Sequence, residues 1–73
     1  MSQLLRTIRA ARSLTQEDVS QKSGIPISTI SRIETGRYNP TDQEIEKLQL
    51  ALGVRFADVE QDFDRFLRAI TIN

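Results

Sequence analysis

The 73-residue chain predicts an all-α domain, and three observations carry that expectation. Apolar residues recur at helical spacing along its length, turn signals interrupt them at short regular intervals, and no alternating stretch is long enough to read as a strand. A chain of this size makes one domain, 1–73, that buries only about 60–65% of its unfolded surface. Modest stability is expected, and a partner subunit would add to it.

A first helix is expected from about Ser2, a candidate cap, to about Arg12, with Leu5, Ile8 and Ala11 on one stripe. Thr15 caps a second, and Asp18 three residues on places a carboxylate at the positive helix end, close to a capping box. Val19 sits inward, and Gly24 ends the helix by accepting the left-handed conformation. Pro26 fixes the backbone at the mouth of a third helix, where a missing amide hydrogen costs nothing because the first turn has no internal acceptor for it. Gly36 ends that helix, and Arg37-Tyr38-Asn39-Pro40 forms a basic loop. Thr41, with Asp42 and Glu44 behind it, opens a fourth helix that turns Ile45, Leu48 and Leu52 inward and closes at Gly53. A fifth, 57–70, lines up Val59, Phe63, Phe66, Leu67 and Ile70. There is no internal repeat, low-complexity segment or linker.

Between Leu14 and Tyr38 the second and third helices are hinged at a single glycine, the pattern of a helix-turn-helix. On a 100° helical wheel Ile30 and Ile33 define the buried side of the third helix; Ser28, Ser31, Arg32 and Thr35 fall opposite, with Ile27 at the rim. Short polar groups around one guanidinium suit the major groove of double-stranded DNA. Arg32 is expected to contact a base edge, most naturally guanine O6 and N7, against the alternative of a solvated or phosphate-bound arginine. Ile27 packs on a thymine methyl or acts as a hydrophobic plug. Ser28 and Ser31 donate to base or phosphate oxygens with little discrimination, and Arg37, Tyr38 and Asn39 offer phosphate contacts from the loop.

The formal charge of zero conceals a dipole. Residues 1–38 carry six basic against three acidic side chains, a net +3, and residues 39–73 four against seven, a net −3. A basic side on the reading surface is steered to phosphate while the acidic side stays away; chance scatter of solvated charges is the alternative. With no cysteine and no histidine, the chain lacks a disulfide frame, a thiolate metal site and the commonest zinc ligand and general base. No catalytic role, metal or cofactor is expected. No apolar run approaches the roughly 20 residues of a membrane span, and Arg6 and Arg9 among Leu5 and Ile8 do not form a signal peptide. The expected location is the cytoplasm.

At this point the residues resemble the Cro and repressor type of phage helix-turn-helix protein, also called the xenobiotic-response-element family. The likeness runs from Leu5 to about Val59. It is carried by Leu5-Arg6-Thr7-Ile8-Arg9, Leu14-Thr15-Gln16-Glu17, Gly24-Ile25-Pro26, the run Ser28 to Gly36, Pro40, and Leu52-Gly53-Val54. The resemblance implies a compact five-helix repressor-like domain that binds operator DNA, commonly as a two-fold dimer. It also implies that Gln16 is a phosphate clamp, its side-chain amide and the helix dipole acting on one oxygen. Arg9 and Glu34 would form an internal ion bridge between the first helix and the end of the third. Four positions depart from the pattern: Ser13 replaces Gly or another polar residue, Ser20 replaces Ala, Pro26 replaces the more frequent serine cap, and Ile27 often polar side chains. Ser20 is expected at a tight contact between the motif helices, its hydroxyl bonding back to a carbonyl of its own helix.

The set Phe56, Val59, Phe63, Phe66, Leu67 and Ile70 is more apolar surface than a small domain with four other helices requires. Isologous dimerisation through the fifth helix would set two reading helices about 34 Å apart and call for a near-palindromic operator. Completion of the monomer core is the alternative. The function expected is a sequence-specific DNA-binding transcriptional regulator acting as a homodimer. Its rival is a protein-interaction module, such as an antitoxin or adaptor, that holds a protein partner on the same scaffold.

Overall fold

The computed structural model describes residues 2–59, arranged as α1 (Ser2–Ala11), α2 (Gln16–Ser23), α3 (Ile27–Glu34), α4 (Asp42–Leu52) and a helical stretch over 56–59. The architecture is all-α, as the periodicity predicts. The expected fifth helix opens at 56, one residue early, and its remainder over 60–70 lies outside the described residues.

Each boundary has a local cause. Thr15 Oγ1 accepts from the Asp18 amide at 3.0 Å while Asp18 Oδ2 accepts from the Thr15 amide at 2.9 Å, a reciprocal capping box at the head of α2. Thr41 and Glu44 repeat the arrangement on α4, at 3.2 and 2.9 Å. The end of α1 is less expected. Ser13 adopts φ +55°, and the Leu14 and Ser13 amides close onto the Arg9 and Ala10 carbonyls at 3.0 Å each, a Schellman turn built on a residue that carries a Cβ.

α2 packs against α3 and α4, and α1 against α3. Their shared interior is Leu4, Leu5, Ile8, Val19, Ile25, Ile30, Ile33, Leu48, Leu52 and Phe56, with Leu14, Ile45, Val54 and Val59 packed around it. Three expectations need correction. Ala11 is exposed, because α1 ends there and the turn carries it clear, whereas Leu4 joins Leu5 and Ile8 inside. Phe56, counted among the interface residues, is a core residue at 5% exposure; its amide donates to Gln49 Oε1 at 3.0 Å, which opens the helical stretch one residue early and turns the ring inward. Ser20 bonds forward, not back. Its hydroxyl donates to the Ile25 carbonyl at 2.6 Å, because Gly24 at φ +77° reverses the chain over the last turn of α2 and brings in a carbonyl no helix satisfies. Ser23 completes the clasp, donating to the Val19 carbonyl at 2.7 Å and accepting from the Ile25 amide at 3.2 Å. Of the other interface candidates, Val59 is half-buried against the core, and Phe63, Phe66 and Ile70 lie outside the described residues.

Candidate nucleic-acid interface

The rotation of α3 about its own axis decides what the molecule presents. Ile30 and Ile33 are buried at 0% and 1% exposure, and Glu34 joins them at 3%. Opposite them Ser28, Arg32 and Thr35 are open to solvent, Ser31 is half-buried on the flank, and Ile27 stands 47% exposed at the entrance. Among the described residues no carboxylate reaches Arg32. Thr35 turns its hydroxyl proton back onto the Ser31 carbonyl at 3.0 Å, leaving acceptor lone pairs outward. Pro26 sets the entry at φ −57° and supplies no side-chain cap, so the exposed mouth of α3 carries no capping group.

Charge seldom enters a core unpaired, and the buried Glu34 carboxylate is no exception. Glu34 is met by a two-pronged fork: Arg9 Nε donates to Oε2 at 2.8 Å and Nη2 to Oε1 at 2.9 Å. The third guanidinium nitrogen, Nη1, donates to the Leu14 carbonyl at 2.9 Å. Arg9 therefore ties α1 at once to the α1–α2 turn and to the last turn of α3. The hydrogen bonds to Glu34 raise the guanidinium pKa above its ordinary value, against a smaller lowering by burial.

Gln16 is half-buried at the first position of α2, and its Nε2 donates to Glu34 Oε1 at 3.1 Å. The sequence gives no hint of this link, for the partners are 18 residues apart. The helix dipole at Gln16 is also partly offset by its own first turn, where Glu17 and Asp18 sit and the Thr15 amide is already engaged. On the far side, Arg37 and Asn39 are exposed in the loop after α3. Tyr38 stands beside them at 36% exposure, but its hydroxyl donates to Glu44 Oε1 at 2.7 Å. That bond raises the phenol pKa above its usual 10 and engages the proton that a phosphate would receive. The Glu44 carboxyl is held below its usual range, chiefly by the Thr41 amide and then by Tyr38.

Gln16, α3's outer row and the loop 37–39 are the positions the sequence singled out, and those on α3 share one exposed side of the helix. No helix of the described residues is long and apolar enough to cross a membrane.

Comparison with known proteins agrees with this geometry. The chain is 37% identical over 59 residues to the uncharacterized HTH-type transcriptional regulator MJ0272 of Methanocaldococcus jannaschii, covering 81% of this chain and 89% of that one. It is 32% identical over 59 residues to the immunity repressor protein of Bacillus phage phi105, covering 81% of this chain and 41% of the repressor. Its fold is similar to the crystal structure of the restriction-modification controller protein C.AhdI from Aeromonas hydrophila. That likeness has a TM-score of 0.74 at 34% identity, and covers 77% of this chain and 85% of the controller. The helix-turn-helix family model matches residues 5–59. With most of its length matched, and with the capped α2 turning into α3 at the left-handed Gly24, the chain belongs to the helix-turn-helix family.

Proposed function

We propose that this chain is a transcriptional regulator that binds double-stranded DNA in the cytoplasm by laying α3 into the major groove. The observation that carries the reading is the open outer row of α3, Ser28, Arg32 and Thr35, held outward by the burial of Ile30, Ile33 and Glu34 on the opposite side. Arg32 reads a guanine edge, Ile27 covers a thymine methyl, and Ser28 and Ser31 add short donors. Gln16, Arg37 and Asn39 hold phosphates; Tyr38 joins them only by releasing Glu44.

Homodimerisation is part of the proposal. An open groove of about 690 Å³ lies between the end of α4 and residues 54–59, with Leu50 78% exposed beside it and Val54 and Val59 in its wall. Glu46, Asp58 and Arg55 line the same groove. A two-fold interface pairs one patch with its own copy, and an apolar patch bordered by both charge signs supplies acid and base for such a pairing. No residue is assigned a catalytic role.

The test is binding to random duplex at rising salt, followed by selection of bound sites from a random duplex library. A regulator loses affinity steeply between low and moderate salt, and a dimer selects inverted half-sites centred about one helical turn apart. Arg32→Ala should relax the preference at one position per half-site, weakening the selected site by about 1–3 kcal/mol while leaving non-specific binding nearly as strong. Negligible affinity for duplex at any salt would reject the reading and favour a protein-interaction role.

A further inference from the structure

Glu34 Oε1 accepts two hydrogen bonds, from Arg9 Nη2 at 2.9 Å and from Gln16 Nε2 at 3.1 Å, while Oε2 takes Arg9 Nε at 2.8 Å. The carboxylate belongs to the last turn of α3 and is 3% exposed; the carboxamide belongs to the first turn of α2 and is half-buried. A glutamine side chain has three rotatable bonds and, at a surface helix end, samples many directions. Here the carboxamide is anchored to an oxygen that is buried and held by a two-pronged guanidinium on the α3 backbone. A carboxamide has two N–H donors in one plane. With one engaged by Glu34, the direction of the second is set.

We propose that Glu34, locked by Arg9, is a positioning residue for DNA binding that pre-orients the Gln16 carboxamide and aims its second N–H at a backbone phosphate. This rests on the DNA-binding reading above. It gives the buried ion pair a role beyond holding helices together, since the pair orders in the free protein a donor that would otherwise have to be ordered on binding. Pre-ordering one such side chain is worth about a threefold to tenfold gain in affinity.

The test compares four proteins: the unmodified chain, Gln16→Ala, Glu34→Gln and the double variant. Each is titrated with a random-sequence duplex at several salt concentrations from low to moderate, at a temperature where circular dichroism shows all of them folded. Gln16→Ala should weaken binding about tenfold, the loss of one hydrogen bond to a charged group. The slope of affinity against salt should stay the same, because glutamine neutralises no charge. Glu34→Gln sets an NH2 donor against the guanidinium in place of one acceptor oxygen, so the two-pronged grip that fixes the other oxygen is lost. It should weaken binding threefold to tenfold where Gln16 is present, yet cause no further loss where residue 16 is alanine. Equal loss in both backgrounds would show a purely structural Glu34 and overturn the proposal. An unaffected Gln16→Ala would overturn it too, with duplex binding by the unmodified chain left standing. Failure of the unmodified chain to bind duplex removes this proposal together with the functional reading.

Should Glu34→Gln unfold, the unmodified chain still decides the matter by NMR. The Gln16 carboxamide should show one proton displaced and exchanging more slowly than those of exposed Gln21 and Gln43, and duplex should shift its other proton. A Gln16 pair indistinguishable from theirs refutes the anchoring.

Discussion

Replacing Glu34 by alanine should unfold this domain at a markedly lower temperature. The carboxylate is 3% exposed and holds three side-chain hydrogen bonds, two from Arg9 and one from Gln16. Its removal strands the guanidinium, whose remaining partner is the Leu14 carbonyl. Breaking a well-buried pair costs about 3–5 kcal/mol, since the surviving charge stays desolvated. Arg9, however, keeps 19% of its side-chain surface in water, so it partly rehydrates, and the loss belongs at about 2–3 kcal/mol. A chain of this length has roughly 4–10 kcal/mol in all, and each kcal/mol moves the midpoint about 4–8 °C, so Tm should fall by roughly 10–20 °C. Circular dichroism melts of Glu34→Ala, Arg9→Met and the double variant measure it. The double should be far milder than the sum of the singles, because removing both charges leaves none stranded. DNA binding lost with Tm unchanged, or strictly additive singles, would refute the reasoning.

Three further outcomes follow from single features. Ser13 sits at φ +55°, where a Cβ costs about 1–2 kcal/mol, so Ser13→Gly should raise stability by about 0.5–1 kcal/mol after the extra freedom of the unfolded glycine is subtracted; an unchanged or lower Tm counts against it. Ser20→Ala leaves the Ile25 carbonyl without its donor and should cost about 1–2 kcal/mol in urea unfolding, whereas indifference would mean that water replaces the hydroxyl freely. The Asp18 and Glu44 carboxyls lie below their ordinary 3.8 and 4.5, chiefly because the Thr15 and Thr41 amides bond the ionised forms. Depressed folded values mean stabilisation that is complete above about pH 5 and lost as pH falls through the lowered values, so the acid limb of Tm against pH should flatten in Asp18→Asn/Glu44→Gln.

What could be read in advance is what short sequence separations decide. The boxes at Thr15–Asp18 and Thr41–Glu44 span three residues, a left-handed glycine acts on its own backbone, and Ile30 and Ile33 share a side of α3 by helical geometry alone. The misjudged positions are those where an element ends or meets another. Ala11 has the right period but sits where α1 stops, and Phe56 reads as one of the apolar set that follows it although its amide answers to Gln49, seven residues back. Ser20 has the chemistry expected of it but a different acceptor, because only the folded turn brings the Ile25 carbonyl within reach.

Glu34 shows why this second class of information matters for function. The wheel that exposes Arg32 puts Glu34 beside Ile30 and Ile33, so its burial was open to inference from spacing; that its oxygen is shared between Arg9 and Gln16 was not. An apolar residue there would bury as well and tolerate small rotations of α3, since burial has no direction. A carboxylate gripped at two atoms by one guanidinium permits one orientation within hydrogen-bond tolerance. The outer row of α3 therefore holds its angle to α1 and α2 by a polar lock on the inner side, and the base readout proposed for Arg32 requires that angle.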